Sequence, residues 1–168
     1  MHEFSKRPTD WIHLTEGVGV DGDAHAGTTV QHRSRVTRNP HQPNLRQVHL
    51  IEAGLFEDLA KVQHVVQPGD LGENITTAAI DLLGLPTGTV LDIGKEAQIR
   101  LTGLRNPCKQ IDGFQPGLGK HVTGRDFAGN PAFRAGVMAV VTRSGMVRPG
   151  DVIAVALPKP PHVALARV

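Results

Sequence analysis

Nowhere does this chain alternate as cleanly as over residues 97–102, where Ala97, Ile99 and Leu101 fall on one side and Gln98, Arg100 and Thr102 on the other. The apolar run 90–93 precedes it, and Gly94-Lys95-Glu96 between the two is short and turn-forming, so 90–102 is predicted to be a β-hairpin with one buried face. The rest of the chain is cut into pieces of similar length. With 19 glycines and 12 prolines in 168 residues, it favours short strands over long helices.

Further strands are predicted at 11–14 as an edge, at 46–51 with Val48 and Leu50 inward and Gln47 and His49 outward, at 136–142 buried on both sides, and at 152–157. Ala53, Phe56, Leu59 and Ala60 have helical spacing, which predicts about three turns over 52–62, and a single turn is expected near 120–122. Residues 11–157 are read as one domain, flanked by an N-terminal tail, 1–10, and a proline-rich C-terminal tail, 158–168. No stretch has the length of a membrane span and the first residues lack a signal peptide's apolar core, so a cytoplasmic protein without a membrane partner is expected. Aromatic content of 4% with no tyrosine offers few stacking platforms and argues against nucleic acid.

Cys108 is the only cysteine, which excludes an internal disulfide and any zinc site needing two thiolates. Arg105 and Lys109 flank it, and cations favour a thiolate. Pro107 removes a donor and holds Asn106 out of helix, which places Cys108 on a constrained turn just after a strand. The other reading is a buried, inert thiol. Residues 17–27 hold four glycines, two aspartates and His25, so they form either a ligand-binding loop or an ordinary turn. Arg33, Arg35, Arg38 and Arg46 lie in a stretch without hydrophobic period, suited to a phosphate or to solvent alone. The histidines have no zinc spacing, and Ser5, Ser34 and Ser144 have no nucleophile elbow. Glu73 and Asn74 are placed to hydrogen-bond a ring system, or Asn74 to cap a helix.

Arg105-Asn106-Pro107-Cys108-Lys109-Gln110-Ile111-Asp112 resembles the cysteine segment of the MOSC family, named after the C-terminal domain of molybdenum cofactor sulfurases. Residues 17–27 and the Gly-Asp-Leu-Gly-Glu-Asn-Ile-Thr-Thr of 69–77 resemble two further segments of that family, in the same order. The resemblance implies a mainly β protein with a closed, barrel-like, mostly antiparallel sheet of the pyruvate-kinase-barrel kind and a few short flanking helices. It implies a pocket lined by Asp23, His25, Glu73, Asn74 and Cys108, with Arg33, Arg35, Arg38, Arg105 and Lys109 toward a cofactor's phosphate. Cys108 would be the reacting group and the metal ligand, with His25 as a second catalytic residue.

The function implied is sulfur carriage or binding of the molybdenum cofactor, molybdopterin. Cys108 would take sulfur as persulfide from a cysteine desulfurase, which alone would carry pyridoxal phosphate. Two alternatives stand beside it: a molybdenum-dependent reductase of N-hydroxylated compounds, and a non-catalytic module that binds a phosphorylated small molecule.

Overall fold

A computed structural model describes residues 4–31, 36, 39–125, 129 and 131–168. In chain order it contains β1 (Ile12–Thr15), β2 (Gly19–Val20), β3 (Val48–Glu52), α1 (Gly54–Lys61), β4 (Ile75–Thr77), a 3-10 turn (Leu82–Gly84), β5 (Val90–Ile93) and β6 (Ala97–Leu104). Then come α2 (Gln110–Phe114), α3 (Gly119–Val122), β7 (Thr123–Arg125), β8 (Pro131–Phe133), β9 (Val137–Arg143), β10 (Gly145–Val147) and β11 (Ile153–Ala156).

The expected hairpin is β5 and β6, with Ile93 opposite Ala97 and Leu91 opposite Ile99. Its inward residues Leu91, Ile93, Ala97, Ile99 and Leu101 are all within 1% of complete burial. Burying a leucine or isoleucine this way stabilises by roughly 1.5–3 kcal/mol. The hairpin supplies the second and third strands of a six-stranded sheet in the order β11-β5-β6-β9-β3-β4, antiparallel throughout except for the parallel pair β3 and β4. A parallel neighbour needs a crossover. Here α1 and the loop after it supply one.

The protein is mainly β and its large sheet curls as a barrel would, but the ring does not close. Among the described residues the two edge strands, β4 and β11, do not pair with each other. With three residues, β4 has too little backbone to carry a ladder further. A second sheet, β10-β1-β2, packs Leu14, Val20 and Val147 into the main core. The strand expected as an edge at 11–14 is therefore the centre of that small sheet, because 145–147 pairs with it.

β3 also departs from expectation. Gln47, Val48, His49, Leu50 and Ile51 are all at most 5% exposed, so both faces are buried. Val48 and Leu50 enter the main core, while Ile51 joins a second one with Leu55, Leu59, Leu71, Ile111 and Leu118 beneath the helices. Gln47 meets the cost of burial by donating to Gly17 O at 2.8 Å and accepting from Val141 N at 2.9 Å.

Described residues near both ends pack against the domain. Lys6 N donates to Gly69 O at 2.8 Å, Leu104 N donates to Ala166 O at 2.8 Å, and Leu165 is buried in the main core. Among the described residues no helix is long and apolar enough to cross a membrane.

Candidate functional site

Strand β6 ends at Leu104, and Arg105 N is held by Gly136 O at 2.9 Å, so the chain leaves the sheet at a fixed point. Pro107 keeps it extended there, and Ile111, fully buried, anchors the first turn of α2. Cys108 lies on the bend between them, as the sequence predicts. Its thiol is free and half-buried, and Sγ donates to Gln110 Oε1 at 3.4 Å.

Lys109 is exposed, whereas Arg105 turns inward and keeps only 8% of its surface. Its Nη1 donates to Leu71 O at 2.8 Å, and its guanidinium lies 5.6 Å from the centre of the Phe4 ring. Burial disfavours its charge and lowers its pKa. Attraction to Cys108 and Glu73, with a hydrogen bond to Cys108, works the other way. Arg105 thus stands between the thiol and a carboxylate.

That carboxylate is 3% exposed. Glu73 Oε1 accepts from Gly69 N at 2.6 Å and from Thr76 Oγ1 at 3.2 Å, while Oε2 is buried without a partner among the described residues. The next residue, Asn74, caps no helix. Its Oδ1 accepts from His49 N at 2.9 Å, its backbone N donates to His49 O at 2.8 Å, and its Nδ2 donates to Asp23 Oδ2 at 2.7 Å. One side chain therefore joins the 69–77 segment to β3 and to the 17–27 loop.

Asp23 accepts further bonds from His25 N at 2.8 Å and His25 Nδ1 at 3.2 Å, and it pairs with Lys6 Nζ at 2.5 Å. Burial alone would raise its pKa, but the His25 hydrogen bonds and the Lys6 charge together hold it far below the ordinary carboxylate range. His25 itself is exposed, and among the described residues no hydrogen bond joins it to Cys108. The 17–27 loop is tied in turn to the base of the basic stretch, where Asn44 Nδ2 donates to His25 O at 2.8 Å and to Gly27 O at 2.9 Å. Arg33, Arg35 and Arg38 lie outside the described residues.

The three motif segments thus meet in one network, where Asn74 ties the 69–77 segment to Asp23 and Leu71 ties it to Arg105 beside Cys108. Three of its members escape sequence reasoning. His49, expected to face outward, is 5% exposed and donates from Nε2 to Ala135 O at 2.7 Å. Burial first, and then the charges of Arg105 and Lys6, hold its pKa well below the ordinary histidine value, so the ring is neutral. Phe4 and Lys6 come from the stretch assigned to a tail, where neither has a periodic neighbour to betray it.

Beside Gln110 an open depression of about 480 Å³ is lined by Phe4, Ser5, Gln110, Gly113 and Phe114. Among the described residues no three of His, Cys, Asp and Glu are grouped to hold a metal ion.

A family model described as the MOSC domain matches residues 37–154, which include Glu73, Asn74, Arg105 and Cys108 but not Asp23, Lys6 or Phe4. Among solved structures, YuaD of Bacillus subtilis is 25% identical with a TM-score of 0.75, the alignment covering 94% of this chain and 90% of that one. YiiM of Escherichia coli is 16% identical at a TM-score of 0.61, over 91% of this chain and 65% of its own. YiiM of Geobacillus stearothermophilus is 17% identical at 0.59, over 73% and 60%. The two YiiM proteins share the fold, and this chain spans less than two thirds of either. No curated protein matches the chain.

Proposed function

The chain belongs to the MOSC domain family, and on that premise we propose that Cys108 is its sulfur-bearing group, one that takes up sulfur as a persulfide from a cysteine desulfurase and, with two electrons from a thiol reductant, passes it as sulfide to a molybdenum cofactor while Cys108 returns to the thiol. The observation that carries this is the setting of the chain's only cysteine, half-exposed on the turn after β6 with a buried arginine at its side. In the uptake step the Cys108 thiolate attacks the outer sulfur of the donor's cysteine persulfide. A new S–S bond forms on Cys108 and the donor's own thiolate leaves, so no external oxidant is needed. Pyridoxal phosphate would belong to the donor. A reducing compartment, the cytoplasm, would keep the thiol available.

The residues present fit a molybdenum cofactor. A thiolate suits a soft metal, the orphaned Glu73 Oε2 needs an N–H donor such as a pterin edge provides, and Arg105 and Lys109 are cations for a phosphate. Arg33, Arg35 and Arg38 are proposed for the same phosphate. Such a cofactor, when bound, supplies a metal centre able to exchange sulfur or electron pairs. The chain's own residues hold its ends, with Asp23 fixed as an anion by Lys6 and His25.

A second use of the same site, the reduction of N-hydroxylated compounds, would need the molybdenum cofactor to stay resident, and metal retention separates the two. Incubation with a cysteine desulfurase and cysteine should add one sulfur atom to Cys108, visible by mass spectrometry and removed by dithiothreitol. Cys108→Ser should abolish the gain with little loss of stability, within about 0.5 kcal/mol for a half-exposed position. Absence of the sulfur adduct, together with molybdenum retained through purification, would replace sulfur carriage by the reductase.

A further inference from the structure

Residues 4–7 cross the network described above. Lys6 N donates to Gly69 O at 2.8 Å and Ser5 Oγ donates to Asp70 O at 3.0 Å, so the segment is stitched along the 69–73 turn. The turn is shaped to receive it. A Cβ at Gly69 would lie 2.2 Å from Lys6 O, and one at Gly72 would lie 2.6 Å from Phe4 O, so a side chain at either place would push the segment off.

What the segment brings is as specific as where it lies. Lys6 puts an ammonium on Asp23, whose side chain keeps only 5% of its surface. The Phe4 ring stands over the guanidinium of Arg105 and 6.3 Å from the ring of Phe114. A cation thus covers the site's anion, and an aromatic face covers its buried cation.

We propose that residues 4–7 are an autoinhibitory strap that occupies the ligand groups of this site, and that it must lift before Arg105 can receive an anionic ligand beside Cys108. Phe4 and Lys6 lie outside the residues matched by the family model. The inference deepens the reading of Cys108 as the reacting group, but its test does not depend on sulfur uptake.

The full chain is alkylated at Cys108 with iodoacetate and with iodoacetamide, which differ mainly in charge, in the parent and in Phe4→Ala. In parallel, trypsin cleavage after Lys6 reports how often the strap is free, since the following Arg7-Pro8 bond resists the protease. Phe4→Ala removes one of the two latches without changing charge. It should speed cleavage by roughly 2- to 30-fold, the weight of a lost cation–π contact. It should also raise the iodoacetate-to-iodoacetamide rate ratio by about two-fold or more, an effect that added salt erases. If Phe4→Ala does not fold, Phe4→Leu keeps apolar bulk and should show the same rises at smaller size.

Faster cleavage with an unchanged rate ratio overturns the claim that the strap masks Arg105. Unchanged cleavage overturns the claim that Phe4 latches it. Failure of persulfide loading would sink the proposed function and leave both results standing.

Discussion

Acid should weaken this fold through His49, and the size of the effect can be worked out. The ring is 5% exposed, its Nε2–H is held by Ala135 O at 2.7 Å, and Arg105 and Lys6 both repel a charge on it. Its folded pKa therefore lies well below the ordinary value of 6.5, with burial the largest cause and the two cations adding to it. Below that ordinary value the unfolded chain binds a proton that the fold does not. Stability is thus fully present above the unfolded pKa and falls as pH drops. While the folded ring stays neutral, the loss between about pH 7.5 and about pH 5.5 is about 1.4 kcal/mol. His49→Gln removes the titration. Urea midpoints at the two pH values, read with a common slope, should show the parent losing about 1.4 kcal/mol more than the variant. Every other ionisable group is common to both proteins and cancels in the difference. Parallel curves would mean that His49 takes up a proton as readily in the fold as in the open chain.

Two substitutions test the scaffold of the site. Asn74→Ala removes a bond to His49 N and a bond to Asp23 and leaves both groups in a half-buried place, so a loss of about 2 kcal/mol by urea unfolding is expected, together with faster proteolysis of the 17–27 loop. Gly136→Ala would place a Cβ 2.3 Å from Leu50 O and 2.7 Å from His49 Nε2 at a backbone φ of +99°, so it should cost more, about 3 kcal/mol or above, and a thermal midpoint near that of the parent would refute the packing around His49.

Residues 90–102, 137–143 and 54–61 were legible because their signals are local: alternation, an unbroken apolar run, and helical spacing that buries Leu55 and Leu59. The turn carrying Cys108 was legible for the same reason, since Pro107 acts on its immediate neighbours. β3 was misread on one face because the burial of Gln47 and His49 depends on where residues 17 and 135 come to rest, and no local pattern contains that. Helix α2 was missed because it is five residues long, contains Gly113, and buries only Ile111. The meeting of 17–27 with 69–77 followed only from resemblance. Composition and period are silent about a bond such as Asn74 to Asp23, whose partners stand 51 residues apart. Phe4 and Lys6 were less legible still, because nothing in a short run before Pro8 marks a lysine as the counter-ion of a buried carboxylate.

The charges of the network bear on which ligand it suits. With the strap in place, Lys6 balances Asp23, Arg105 is drawn to Glu73 and Cys108, and His49 adds nothing because it is neutral. Lifting the strap takes one cation away and leaves Asp23 ionised, since His25 still hydrogen-bonds it. A ligand that is only an anion would then meet Arg105 at one end and an uncompensated carboxylate at the other. On the reading proposed here, the ligand has to bring N–H donors to Asp23 and to the orphaned oxygen of Glu73 while presenting its negative charge to Arg105 and Lys109. A phosphorylated pterin carries both kinds of group, whereas inorganic phosphate carries one. Inorganic phosphate alone would leave two carboxylates of the site without an occupant, so a module that binds a phosphorylated small molecule here has to take one that also carries N–H donors.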